Sequence, residues 1–103
     1  MEMNQEEIDD GIIKVTLNGS LDIAGAGVVD MPFNILSGKQ DKVIVDFTNV
    51  DFLASIGIRV LVKTAKSITV RGGRLAIFNA SDAVKKVLSA TGADTIVFVV
   101  DDE

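Results

Sequence analysis

Ser55 is the residue whose setting most invites chemistry. It lies in the run V-D-F-L-A-S-I-G, which places apolar Phe52, Leu53 and Ile56 around a hydroxyl in what reads as a surface loop and the first turn of a helix. Exposed apolar side chains about a hydroxyl suggest a contact surface. Serine is also a preferred helix N-cap, and on local physics alone capping is the stronger reading, although the two roles can coexist. A phosphate on Ser55 would meet the unpaired N–H groups and positive end of that helix, with Arg59 one turn further along. It would add roughly −1.5 to −2 charges, enough to abolish docking to a surface that accepts an apolar patch. Gly57 either lets another backbone approach closely or keeps the first turn bare for a partner. Asp22, in G-S-L-D, reads first as the N-cap of a weak helix and second as a neighbour of Ser55.

Composition removes most other chemistries. The 103 residues include no Cys and no His, so Cys- or His-ligated zinc, thiol nucleophiles and a His general base are all out of reach. Carboxylate catalysis or hard-cation binding would need Asp and Glu grouped in a pocket, and the sequence carries no such motif and no EF-hand loop. Gly72-Gly73 lacks the pattern of a phosphate loop and reads as a turn. The basic series Arg59, Lys63 and Lys66 reads as the solvated face of an amphipathic helix. No catalytic residue, metal or cofactor is expected. Ten Lys+Arg against 15 Asp+Glu give a formal charge of −5, which argues against nucleic acid as a partner. No apolar run approaches the roughly 18 residues of a membrane span. The opening residues include Glu2, Glu6, Glu7, Asp9 and Asp10, the reverse of a secretory signal. Absence of Cys is compatible with a reducing compartment, so a cytoplasmic protein is expected.

The elements that must position Ser55 follow from periodicity. Ile13, Val15 and Leu17 alternate with Lys14, Thr16 and Asn18, a half-buried strand over Gly11 to Asn18, and Gly19 to Asp22 reads as a turn and cap. Ile23 to Asp30 is only weakly helical because Gly25 and Gly27 lie inside it. Pro32 then predicts either two short helical pieces or a helix that begins near Pro32 and runs to Leu36. The apolar run Val43, Ile44, Val45 and Phe47 predicts a central strand covered on both faces. From Ser55 the period becomes helical, with Ile58, Leu61, Val62, Ala65, Ile68 and Thr69 on one side and an end near Gly72-Gly73. Arg74 to Phe78 is a further strand. Asn79 to Ser81 supplies a turn and an N-cap for a helix carrying Val84, Val87, Leu88 and Thr91 inward, Gly92 closes it, and Thr95 to Val100 is the last strand. With 48% apolar residues the chain suits a single domain over 1–103, with an acidic segment 1–10 and an acidic tail 101–103. Alternating strands and helices call for right-handed crossovers and a largely parallel sheet. At the carboxyl ends of its strands, Ser20 to Ile23, Thr48 to Gly57 and Asn79 to Ser81 should converge.

The segment V-I-V-D-F-T-N-V-D-F-L-A-S-I-G-I-R-V-L, preceded by G-S-L-D and followed by G-G-R-L-A-I-F-N-A-S-D-A-V-K-K-V-L, resembles the STAS domain of bacterial anti-sigma factor antagonists (anti-anti-sigma factors). The resemblance covers nearly the whole chain, from Gly11 to Val100. It implies an α/β fold with a mixed, mostly parallel sheet of four to five strands packed with three to four helices. It also implies partner switching and regulation of transcription. The unphosphorylated antagonist binds an anti-sigma factor that is also a serine kinase, the kinase phosphorylates it and releases it, and a PP2C-type phosphatase restores it. The antagonist is then ligand and substrate, not enzyme. Position by position, Ser55 matches the phosphoacceptor, Gly57 the glycine two residues on, and Asp22 the aspartate of G-x-L-D. Ala54 and Ile56 depart from the commonest family pattern, which has Asp before the acceptor and Ser or Thr after it. The expected contact residues are Asp22, Ile23, Phe52, Leu53, Ala54, Ile56, Gly57 and Arg59. The alternatives are a non-switching STAS scaffold in a sensory complex, with Ser55 only a cap, and a small-ligand or nucleotide sensor at the same strand ends.

Overall fold

The computed structural model describes residues 1–39 and 41–100. Its elements run β1 (Glu2–Asp9), β2 (Ile12–Leu21), α1 (Ile23–Ser37), β3 (Lys42–Leu53), α2 (Ser55–Val70), β4 (Arg74–Phe78), α3 (Asp82–Ala90), a 3-10 turn over Ala93–Thr95 and β5 (Phe98–Val100). The five strands form one sheet in the order β1-β2-β3-β4-β5, with β1 antiparallel to β2 and every other pair parallel. This is the mixed, mostly parallel α/β architecture that the resemblance implies; the residue pattern alone predicts its parallel part, β2 to β5. The expected acidic tail, 101–103, lies outside the described residues.

Strand alternation sets the layers. Val15, Leu17, Val45, Phe47 and Ile77 are fully buried, whereas Lys14, Thr16, Ile44, Asp46, Ala76 and Phe78 between and beside them are only half-buried. The strand order never reverses, and right-handed crossovers through such a sheet carry successive helices to one face. β3 is therefore fully covered on one face, not on both as its apolar run predicts. On the covered side α1 and α2 pack against each other, and Val29, Phe33, Leu61, Ala65 and Ile68 complete the core.

Five boundaries differ from the sequence reading, each for a physical reason. β2 does not turn after Asn18 but runs through Gly19 and Ser20 to Leu21, because Leu21 is buried in the core opposite Leu53, and only Asp22 is left as the cap. The acidic N-terminal segment is a strand, β1, whose half-buried Met3 pairs with Leu17. Its charges Glu2, Glu6, Glu7 and Asp9 suit an edge that no further strand covers. Helix α1 is continuous through Pro32, neither split nor starting there. Proline in a helix interior costs about 3 kcal/mol, but Val29, Phe33 and Leu36 on either side are buried, and two or three such side chains offset that amount. Gly25, which weakens the helix locally, is required by packing, since a Cβ there would run into the Ser20 carbonyl oxygen. β3 continues past Phe47 to Leu53 because Val50 and Leu53 still reach the core. The last strand shortens to Phe98–Val100 because Gly92, at φ 78°, ends α3 in a 3-10 turn. Two threonines placed inward by periodicity are exposed: Thr69, and Thr91, which caps α3 and donates to the Val87 carbonyl at 2.9 Å.

Candidate functional site

β2 and β3 outrun the rest of the sheet. β3 pairs with β4 only as far as Asp46 opposite Phe78, but with β2 as far as Leu53 opposite Leu21, with irregularities between Thr16 and Asn18 and between Gly19 and Ser20. The overhang is stitched by side chains: Asn49 Nδ2 donates to Asn18 Oδ1 at 2.8 Å, and Ser20 Oγ donates to Asp51 Oδ1 at 2.7 Å. At its tip the Ala54 N–H donates to the Leu21 carbonyl at 3.0 Å. Ser20–Ile23 and Thr48–Gly57 therefore meet as expected. Asn79–Ser81 reaches only the near end of the second stretch, Asn79 Nδ2 donating to Thr48 Oγ1 at 3.2 Å, at the level where the overhang begins.

The capping reading of Ser55 is overturned. Ala54 is the N-cap of α2, in extended conformation with φ −91° and ψ 164°, and its carbonyl receives the Ile58 N–H at 3.1 Å. The bond from Ala54 to Leu21 fixes that extended residue one position before the serine, so Ser55 becomes the first helical residue. It is exposed, and no side chain caps α2. The first turn also lacks a carboxylate. The donors and positive end of α2 are thus left to an acceptor brought from outside the helix.

Asp22 caps α1 as its first reading has it, its Oδ1 accepting from the Gly25 N–H at 2.8 Å. Gly57 serves close approach: a Cβ there would lie 2.7 Å from Leu21 Cγ and 2.8 Å from the Leu21 carbonyl oxygen. Around Ser55 the apolar residues separate by strand and helix geometry. Phe52 is 54% exposed, Ile56 37% and Ile23 76%, but Leu53 is 5% exposed and belongs to the core. Leu53 was placed on the surface only because the sequence reads as a loop there; in a strand, Phe52 and Leu53 must point to opposite faces. Ala54 is half-buried and Arg59 exposed.

Between α1 and α2 runs a groove of about 230 Å³, lined by Ile23, Gly27, Asp30, Ile56, Arg59 and Lys63 among others. Lys63 Nζ lies 3.5 Å from Asp30 Oδ1, so this member of the basic series ties α2 to α1 across the groove and is not simply solvated. The exposed residues Val28, Met31 and Ile35 on α1 were not singled out from the sequence. The available signal was that Asp30 is the only charged residue from Ile23 to Leu36. Among the described residues no group of His, Cys, Asp or Glu could hold a metal ion, and no helix is long and apolar enough to cross a membrane.

The model of the STAS domain matches residues 5–103. A curated relative, the anti-sigma F factor antagonist of Paenibacillus polymyxa, is 26% identical over 95 residues, which cover 90% of this chain and 81% of that protein. Among solved structures, a candidate anti-sigma factor antagonist of Thermotoga maritima superposes with a TM-score of 0.86 at 27% identity, covering 96% of this chain and 86% of that one. SpoIIAA in its unphosphorylated form shares the fold, with a TM-score of 0.80 at 17% identity over 99% of this chain and 90% of its own. The phosphorylated form of SpoIIAA from Bacillus superposes at 0.77 with 18% identity, over 97% and 92%. This chain belongs to the STAS-domain family, which includes the anti-sigma factor antagonists.

Proposed function

We propose that this chain is a cytoplasmic anti-sigma factor antagonist that binds an anti-sigma factor serine kinase when unphosphorylated and is released when Ser55 is phosphorylated, a PP2C-type phosphatase reversing the step. The chain acts as ligand and substrate of the kinase, without catalytic residues or a cofactor of its own. The observation that carries this reading is the exposed hydroxyl of Ser55 at the first position of an uncapped helix, ringed by exposed Phe52, Ile56 and Ile23. An unmodified serine there leaves the apolar ring free to dock. A phosphate brings roughly −1.5 to −2 charges into the ring, and the α2 N–H groups and Arg59, one turn on, hold it in place. Ala54 favours this chemistry, because an aspartate at the N-cap would compete for the same N–H groups. The names of the curated relative and of SpoIIAA, solved in both phosphorylation states, support the assignment. A nucleotide sensor fits less well, since open sheets bind such ligands where strand order reverses and this order does not.

The test is binding by calorimetry to the serine kinase that co-purifies with this chain from its own cells. Wild type and Ser55→Ala bind alike, and Ser55→Asp loses at least about tenfold in affinity. Equal binding by Ser55→Asp would remove the switch.

A further inference from the structure

The outward side of α1 is almost entirely apolar. Ile23, Val28, Met31 and Ile35 are exposed, Met31 at 70%, and Asp30, the only charge on the helix, is engaged by Lys63. A surface helix ordinarily turns its charges outward. Exposed Asn34 and Asp30 interrupt these side chains, and of the four only Ile23 lines the groove, but so apolar a helix surface still marks a contact surface. The opposite bank of the groove has the complementary character. α2 carries Arg59, Lys63 and Lys66 on its exposed side and no carboxylate at all, in a molecule whose formal charge is −5. Arg59 and Lys66 make no ion pair among the described residues.

We infer that this face receives an acidic amphipathic helix of the binding partner, laid along the α1–α2 groove. Its apolar side chains meet Ile23 and Ile56 in the groove and exposed Met31 beside it on α1, and its carboxylates meet Arg59 and Lys66. The inference rests on the reading that the Ser55 face binds a protein partner, since Ile23 and Ile56 belong to both surfaces. Charge complementarity selects the occupant: an acidic flank satisfies the two free cations, whereas α1 and α2 of a second copy offer them no unengaged carboxylate. It also connects the groove to the switch. Ser55 and Arg59 stand four residues apart on α2, so a phosphate on Ser55 takes up Arg59 and sets negative charge where the partner's carboxylates arrive.

The experiment uses two synthetic amphipathic helical peptides with the same leucine face, one flanked by Glu and one by Lys. Each is titrated into the full ¹⁵N-labelled chain, with fluorescence anisotropy for affinity and amide shifts for location. The Glu-flanked probe binds at least about tenfold tighter, weakens as salt is raised, and shifts Ile23, Gly27, Met31, Ile56 and Arg59. Met31→Glu, a substitution at an exposed site, lowers its affinity about tenfold, and Arg59→Glu removes the preference between probes. Equal affinity for both probes, no binding, shifts on the open sheet face around Ile44 and Phe78, or self-association abolished by Met31→Glu would each overturn the inference. The outcomes separate from those for Ser55. Kinase binding lost in Ser55→Asp with no probe preference sinks the groove and leaves the switch, while a clear preference with kinase binding indifferent to Ser55→Asp does the reverse.

Discussion

Replacing glycine by alanine at positions 27 and 57 tests the packing that presents Ser55, because the same substitution in two helices has opposite expected signs. In a helix interior alanine is favoured over glycine by about 1 kcal/mol. At Gly27 an added Cβ meets nothing within 4 Å, so Gly27→Ala gains most of that and raises Tm by a few degrees. At Gly57 the Cβ would stand 2.7 Å from Leu21 Cγ and 2.8 Å from the Leu21 carbonyl oxygen. The side chain can rotate away, but the carbonyl cannot, because it is held by the Ala54 N–H at 3.0 Å. Overpacking of this kind costs about 1–3 kcal/mol. The propensity gain is smaller than in mid-helix because Gly57 is only the third helical residue. The net expectation is a loss of about 1–2 kcal/mol, lowering Tm by at least about 4 °C in a domain of this size. Thermal and urea denaturation followed by circular dichroism measure both variants. Gly57→Ala as stable as wild type would show that α2 does not rest on β2 as described, and the placement of Ser55 would fall with it.

Two further substitutions check the same corner. Asp22→Ala removes the cap on the Gly25 N–H and lowers unfolding free energy by about 1 kcal/mol, read from the urea midpoint at unchanged slope. Leu53→Ala empties a core site and loses about 2–5 kcal/mol, whereas Phe52→Ala, its neighbour on the opposite face, changes stability by less than about 0.5 kcal/mol and acts instead on partner binding.

Periodic apolar patterns made much of this fold legible. The alternation through Ile13, Val15 and Leu17 and the helical spacing of Ile58, Leu61, Ala65 and Ile68 led to the right elements, because those side chains are in the core. β1 escaped notice because an acidic edge strand carries almost no apolar alternation; its partner β2 supplies the pairing. The single span of α1 was equally hidden, since Gly25, Gly27 and Pro32 all argue locally against a helix. Tertiary burial of Val29, Phe33 and Leu36 overrides them. At the site, the types of Ser55, Gly57 and Arg59 and their spacing were readable, but the one-residue offset that makes Ala54 the cap was not. That offset comes from a long-range bond to Leu21, which no local rule contains. Leu53 was misplaced for a related reason: its strand extends only because β2 extends beside it.

The central claim is that Ser55 is a phosphorylation switch. Its most direct test is intact-mass and fragment analysis of the protein recovered from its own cells during growth and under stress. One phosphate mapped to Ser55, with occupancy that changes between the two conditions, is the predicted result. A protein that carries no phosphate on Ser55 in either condition would contradict the switch and favour a constitutive scaffold built on the same apolar face.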